Sequence, residues 1–469
     1  MAITQSQYNV SNQNIRNLHI KINLLNFSYQ TIDSLEGNTI SGNINIDANS
    51  DIRRTCNIEL VVTNSTFDVQ SGGRIFLDKY IQIFVGIDDI HNGEIVWFNQ
   101  GIYLINAPSY KYSADTNTLS FAGLDLMSEL TGVRNGYLIG TTYQIPQGSD
   151  IRGAMIAVLH EAGFNQYIIQ EQEQTVPYDM EFDQGSTRYS ILSALRDILP
   201  NNQIYFDVDG VFHYEPIPSG ANENVIIDDS TWINNVLSEE INVDFESVKN
   251  SIEVYGQTHD ITYYSTNTTL NGEILSLTIA GITSLTTNTM VGFTTTSAVS
   301  GNIQLNVNGL GAINLVDSKG NIITSLDTNT YYVAVYQANN TWLFMGHKQA
   351  YAQWEDTNPN SPFYINKPAG EIKFVCYGGE YENIQTDELA LQRAQYEIYL
   401  RCRLNDTLSL SSIPIYYLDV LQLMAYTPKS NNNAGTTYQY MIQNISYDLN
   451  ESGTMNLSAS KYYPLYPSI

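Results

Sequence analysis

Tyr103-Leu-Ile-Asn-Ala-Pro-Ser-Tyr110 and Tyr440-Met-Ile-Gln-Asn-Ile-Ser-Tyr447 are two copies of one pattern, Tyr-x-Ile-x-x-x-Ser-Tyr, far apart in a chain of 469 residues. Each is followed by a polar turn, Ala114-Asp115-Thr116-Asn117 in the first copy and Asn450-Glu451-Ser452-Gly453 in the second. Each then enters a second strand, through Thr118-Leu119-Ser120 or through Thr454 to Leu457-Ser458, with the second turn about one residue longer. Asn, Asp, Ser and Gly between two apolar runs are hairpin chemistry. Any two hairpins share part of this pattern. Duplication is favoured because each copy closes a longer block of strand-like sequence.

Upstream of the first copy, Leu18, Ile20, Ile22 and Leu24 alternate with polar residues, as do Ile40, Gly42, Ile44 and Ile46. A two-residue period bounded by Asn, Asp and Gly is strand signal. Tyr80 to Val85, the turn His91-Asn92-Gly93 and Glu94 to Phe98 read as a further hairpin. Residues 1–145 are therefore expected to form a β-barrel domain. The character then changes. Asp150 can cap a helix reaching Ala162 with Gly163 as its stop, and Ser186 opens another that Pro200 ends. With the hairpin Gln203 to Tyr214 these give a small α+β unit over residues 146–220.

Strand-like alternation resumes to Gly256, and from Ile261 to Gly346 the chain becomes rich in Thr, Asn and Ser and poor in charge. That segment, residues 259–349, reads as an inserted β-sandwich-like domain. After it, Thr386 caps a helix over residues 387–403, and the closing strands contain the second copy of the hairpin. Residues 221–258 and 350–469 thus form a second, interrupted barrel. The expected class is mainly β with a minor α+β part: two similar β-barrel domains, a small α+β domain and an inserted β-domain.

Forty-eight acidic against 21 basic residues leave a formal charge of −27, which argues against a grip on nucleic acid, where Lys and Arg must neutralise phosphates. Cys56, Cys376 and Cys402 are isolated thiols with neither disulfide nor zinc spacing. The N-terminal residues carry no charged segment followed by an apolar core, so no Sec leader is expected; exit would be by lysis or inside a particle. The six histidines are scattered, and neither a nucleophile elbow nor a phosphate loop is present. Glu239-Glu240 and Asp228-Asp229 are adjacent carboxylates, which a strand would turn to opposite faces. Asp207-x-Asp209-Gly210 lacks the later ligands of a calcium loop and reads as a hairpin turn. Trp97 and Trp354 are expected as core anchors. No catalytic residue, cofactor or metal is expected. The one candidate ligand site is the aromatic group Tyr331, Tyr332, Tyr336 and Trp342 in the insertion, whose rings could stack on sugars or fill a small β core.

The order of these features resembles the hub protein of bacteriophage tails and baseplates and of related phage-like particles. The matching residues are Trp97, Gly101, Tyr103 and Ile105 with Leu119 and Gly123 to Met127; the unit ending in Ile204 to Gly210; and Trp354, Pro359, Ser361 and Pro362. The Ala390 to Tyr396 helix and the run from Tyr440 through Gly453 to Lys461-Tyr462-Tyr463 complete the match. The insertion is similar to β modules of tail fibres, through Leu305 to Ala312 and Asn340 to Trp342.

The resemblance implies a non-enzymatic structural virion protein at the distal end of the tail. It would be a homotrimer whose two barrels per chain make a pseudo-six-fold ring. Implied partners are the tail tube or distal tail protein, the tape measure protein, and a tip spike or fibre. DNA would cross the ring without specific binding, helped by like-charge repulsion. The alternative is a host-recognition protein whose insertion binds cell-wall glycan.

Overall fold

The computed structural model describes residues 3–35, 39–62, 67–140, 142–172, 174–430, 435–450 and 453–464. The chain opens with a short helix, α1 (Gln5–Ser11), closed by a capping box at Thr4. The first β block follows: β1 (Leu18–Leu25), β2 (Thr31–Ser34), β3 (Thr39–Asp47), β4 (Arg54–Val61), β5 (Tyr80–Asp88), β6 (Ile95–Tyr112) and β7 (Asn117–Asp125). The small unit contains β8 (Tyr143–Ile145), α2 (Ile151–Glu161), β9 (Tyr167–Ile169), β10 (Met180–Phe182), α3 (Arg188–Asp197), β11 (Asn202–Phe206) and β12 (Phe212–Pro216). Then come β13 (Val225–Ile227), α4 (Asp229–Trp232), β14 (Val236–Asp244) and β15 (Ser251–Thr258).

The insertion supplies β16 (Tyr263–Asn271), β17 (Ile274–Ile279), β18 (Met290–Thr294), β19 (Val299–Ser300), β20 (Gln304–Val307), β21 (Ala312–Val316), β22 (Ser325–Leu326), β23 (Tyr331–Tyr336) and β24 (Trp342–His347). The chain closes with β25 (Gln349–Glu355), β26 (Lys373–Cys376), α5 (Asp387–Arg401), β27 (Asn405–Ser412), β28 (Leu423–Tyr426), β29 (Tyr438–Asp448) and β30 (Met455–Lys461). The fold is mainly β, as the alternation predicts.

The two β blocks join edge to edge. One thirteen-stranded sheet runs in the order β14-β27-β30-β29-β3-β4-β7-β6-β5-β1-β2, with β28 and β13 branching from β29. The joint is the antiparallel pairing of β29 with β3, Asn444 to Asp448 against Asp47 to Asn43. One core serves both blocks: Ile22, Ile44, Ile58 and Phe121 lie in the same buried cluster as Leu408, Ile442, Ile445 and Leu457. In β4, β27 and β30 the inward positions are apolar and the outward ones polar, the two-residue period seen in the sequence.

Both quoted stretches form hairpins, β6–β7 and β29–β30. Their registers differ from the simple alignment. Tyr110 lies opposite Leu119, and Tyr447 opposite Met455, so Thr454-Met455 takes the place of Thr118-Leu119. The register breaks fall at different points, between Asn106 and Ser109 in one hairpin and between Ile442 and Asn444 in the other. Gln100 stands in a further break, where Ile83 faces Gly101 and Phe84 faces Asn99. The bulge lets Gln100 tie the copies together. Tyr103 donates to its backbone oxygen at 2.7 Å, and Tyr447 donates to its side-chain oxygen. Gly123 keeps the space beside Tyr103: a methyl group there would lie 2.4 Å from the Cys56 sulfur.

A second core joins the small unit to the middle of the chain. Met155, Leu159, Leu192 and Phe206 share it with Ile252, Val254, Ala350, Leu389 and Ala394. Its last members come from α5 and the three-stranded sheet β25-β15-β26. Asp150 caps α2 and Thr386 caps α5, as the sequence indicates, but α3 is capped by Thr187 rather than Ser186, in a reciprocal box with Ser190. In the insertion, β16-β17-β20-β21-β24-β23-β18 close into a barrel, a more continuous arrangement than the sandwich-like module expected. Its core contains Leu277, Phe293, Leu305 and Trp342. The barrel is fastened to the first turn of α5, where Asp387 holds His347 Nδ1 at 2.6 Å and Glu388 accepts from the Ser318 hydroxyl at 2.8 Å.

Two adjacent arginines of β4 connect these parts. The Arg54 guanidinium is buried, pairs with Asp419, and donates to the carbonyl of Phe206 at 2.8 Å. Its backbone N–H donates to Asp125 at 2.8 Å. Arg53 donates to Gln203 at 2.7 Å and lies 4.1 Å from the centre of the Tyr205 ring. Burial pushes the Asp125 carboxyl up to about 6, against the lowering effect of the Arg54 N–H and the Arg54 charge. The folded protein therefore binds this proton more tightly than the unfolded chain does. The contribution of Asp125 to stability falls as pH rises from about 4 to about 6, by roughly 3 kcal/mol, and is flat above. In urea denaturation, wild type should lose about that much relative to Asp125→Asn between pH 4 and pH 7. A difference that does not change with pH would contradict the assignment.

Candidate functional site

The inward side chains of the large sheet form the core, so any role for that sheet rests on its other face. There the strands set short polar side chains in rows. Glu240, Ser409, Ser458, Asn444 and Asp47 stand opposite one another across β14, β27, β30, β29 and β3. A parallel row holds Ser238, Ser411, Asn456, Ser446, Asn45 and Thr55 and so reaches β4. A third, Asp448, Asn43, Asn57 and Ala122, reaches β7. All these residues are partly or fully exposed.

Seven strands at about 4.8 Å spacing make a surface roughly 30 Å wide. Its composition is one-sided: Ser, Thr, Asn and Ala, with Glu240, Asp47 and Asp448 as charges and no Lys or Arg in the three rows. Several side chains are tied down within it, Asn57 to Asn43 at 3.1 Å, Asn444 to Asn45 at 3.3 Å and Ser41 to Glu59 at 3.2 Å. Cations lie outside the three rows, although Arg403 and Lys461 line one hollow together with Ser458 and Ser460. Lys21, for example, sits over the rings of Phe84 and Trp97, at 4.8 and 4.3 Å. The face is continuous across the joint between the two β blocks, because β29 and β3 are neighbours in it.

One border of the sheet is open. Among the described residues β14 pairs only with β27; it carries exposed Leu237 and Val243, with exposed Phe245 just beyond its end. An unpaired strand edge with apolar side chains is a template for another chain.

The aromatic group singled out in the insertion lies in its barrel, at different depths. Trp342 is fully buried and Tyr332 nearly so, while Tyr331 and Tyr336 are half-buried. Trp342 packs against Tyr336 inside the barrel, with ring centroids 5.3 Å apart. Tyr332, Tyr336 and Trp342 share one core, whereas Tyr331 packs on a separate cluster with Val333, Val335, Leu343 and Met345. Trp97 is half-buried under Lys21, and Trp354 is 42% exposed; Trp232, unremarked in the sequence, is a fully buried anchor instead.

Three of the scattered histidines, His19, His213 and His347, are paired with nearby carboxylates. His213 lies between Asp207 at 3.1 Å and Glu215 at 3.7 Å. Burial opposes its charge, but the hydrogen bonds and charges of these two carboxylates raise its pKa to about 9. It is a held cation at neutral pH. Asp207 accepts from the N–H groups of Asp209 and Val211, the hairpin turn expected there. Among the described residues no group of three or more His, Cys, Asp or Glu is placed to hold a metal ion, and no helix is long and apolar enough to cross a membrane.

The chain is similar over nearly its whole length to two solved tail proteins. The 43 kDa tail protein of prophage MuSo2 from Shewanella oneidensis superposes with a TM-score of 0.51 at 11% identity, covering 94% of this chain and 98% of that one. The tail protein from Neisseria meningitidis MC58 gives 0.50 at 8% identity, covering 95% and 96%. The fold is that of a phage tail protein. At such identities the likeness concerns the fold alone. Residues 360–466 match a family described as a domain of unknown function, DUF5048, and no curated protein matches the sequence.

Sequence reasoning missed the polar face, although its signal was present. Asn405 to Ser412 and Met455 to Ser460 alternate apolar residues with Ser, Thr or Asn, and the outward positions lack Lys and Arg. The burial of Trp342 makes a prediction of its own. Trp342→Ala should destabilise the inserted barrel by about 3–5 kcal/mol, the cost of emptying a core aromatic site. Limited proteolysis of the full chain should then cut first within residues 259–349. Unchanged resistance would show that Trp342 is not a core residue.

Proposed function

We propose that the protein is a structural virion component, the trimeric hub at the distal end of a bacteriophage tail, without catalysis of its own. The observation that carries the proposal is the polar face, continuous across both β blocks, whose three rows hold neither Lys nor Arg. A hub must let DNA pass without holding it. Lys and Arg would hold phosphates by releasing counterions, whereas Ser, Thr and Asn with a few carboxylates offer no such attraction. The overall charge of −27 acts in the same direction.

The full-length likeness of fold to tail proteins supports this reading, as does the pair of related hairpins within one chain. Three copies would bring six such hairpins around a ring, matching a six-fold tube on one side and a three-fold tip on the other. The exposed edge of β14, with Leu237, Val243 and Phe245, is the surface we assign to the neighbouring subunit. The partners are then the tail tube or distal tail protein, the tape measure protein, and a tip spike or fibre.

The test adds positive charge to the face. Ser409, Ser458 and Asn45 are partly exposed and lie outside the core, so Ser409→Lys, Ser458→Lys and Asn45→Lys together should leave the fold intact. Wild-type protein should not retard duplex DNA at about 0.15 M salt. The triple variant should, and its affinity should fall steeply as salt rises. DNA binding by the wild type under these conditions, or a variant indifferent to DNA, would refute the assignment of this face to a DNA channel.

A further inference from the structure

The small sheet β25-β15-β26 has two unlike faces. Ile252, Val254, Ala350 and Cys376 point into the second core, with Leu389, Ala390 and Ala394 of α5 in the same cluster. The opposite face carries Tyr255 and Tyr351, directly opposed in register, with ring centroids 5.0 Å apart and planes inclined by 46°. Both rings are half-exposed. His347 continues the row, its ring perpendicular to Tyr351 at 6.1 Å, and its side chain is 41% accessible. The row therefore crosses from the body of the protein onto the last strand of the insertion.

Beside the rings lie planar polar groups. Glu253 faces Gln353 two residues along the strands, and Ser251 faces Glu355 two residues further. The Tyr255 hydroxyl donates to Glu253 at 3.2 Å, and the Tyr351 hydroxyl to Gln353 at 3.4 Å. Lys373 donates to Glu253 at 2.8 Å, and Ser251 to Glu371 at 2.7 Å. Three carboxylates, Glu253, Glu355 and Glu371, thus stand with a single cation, Lys373.

We infer that this face binds a neutral polysaccharide, with pyranose rings against Tyr255 and Tyr351 and hydroxyls bonded to Gln353, Glu253 and Glu355. The faces of the aromatic rings are electron-rich and attract the C–H face of a sugar ring. Amide and carboxylate edges accept the hydroxyls that project sideways. Because the tyrosine hydroxyls are already held, little freedom is lost on binding. The excess of carboxylates disfavours sulfated or phosphate-rich glycans. This places a glycan site at the seam of the insertion, apart from the aromatic group of its barrel.

The experiment is calorimetric titration of the full-length protein with neutral hexasaccharides of glucose, galactose and N-acetylglucosamine, with heparin and an oligolysine peptide as comparisons. At least one neutral hexasaccharide should bind saturably, and heparin should not. Tyr255→Ala and Tyr351→Ala should each weaken binding at least tenfold, whereas Tyr255→Phe, which keeps the ring, should stay within a few-fold of wild type. Circular dichroism of the same samples shows whether the alanine variants are folded; if they are not, the Gln353→Ala variant, on the exposed strand face, must show the loss instead. Binding to no neutral glycan, binding that survives both alanine substitutions, or preference for oligolysine would overturn the inference.

Discussion

The Arg54 guanidinium is buried with its neighbours drawn from three distant parts of the chain. It meets Asp419 from the C-terminal block and the Phe206 carbonyl from the small unit, while its own backbone N–H meets Asp125 at the end of β7. A buried ion pair adds little net stability, because two charges must leave water. Removing one partner is another matter, since the remaining charge is then buried alone at a cost of about 3–5 kcal/mol. The effect here is geometric. Arg54 ties β4 to both the small unit and the C-terminal block, so displacing either leaves a buried group without its partner. Gln100 repeats the device with uncharged groups, accepting from Tyr103 of one hairpin and Tyr447 of the other.

With β4 and β29 fixed in this way, β3 lies between the two blocks and the sheet runs unbroken. Apolar side chains on its inward side enter one core; on the other face, Leu25, Tyr80, Ile102 and Leu104 of β1, β5 and β6 are covered by the small unit, and the strands from β14 to β7 carry the polar rows. That surface owes its character to short side chains. Ser, Thr and Asn on adjacent strands can bond to each other across the ladder and leave nothing long enough to reach out and hold a passing polymer. The insertion hangs from α5 through Asp387 and Glu388, away from the hydrogen-bond ladder of the large sheet, so its presence does not interrupt the polar rows.

Much of the fold was legible because its signals are local. Alternation located the strands of both blocks, Asp150 and Thr386 marked helix starts, and the low charge from Ile261 onward marked the insertion. Registers were not legible, since they depend on where a strand breaks step. The span from Tyr447 to Met455 is one residue shorter than that from Tyr110 to Leu119, which moves Leu457 opposite Ile445, and the bulge at Gln100 could not be seen in composition. The aromatics divided for a similar reason. Tyr332, Tyr336 and Trp342 are close in sequence and share one core, while Tyr331, next to Tyr332, packs on another cluster. Tyr255 and Tyr351 are almost a hundred positions apart, and only strand pairing brings them together on an open face. Trp354 was expected inside but occupies the margin of its small sheet, where the core does not cover it.

The central claim is that three copies close a ring around the polar face. Its most direct test is the absolute mass of the purified protein by light scattering, read together with class averages of the same particles. The account predicts three times 52.6 kDa and a six-lobed ring whose pore is lined by the Ser, Thr and Asn rows. A monomer at every concentration, another copy number, or a ring that turns this face outward would contradict it.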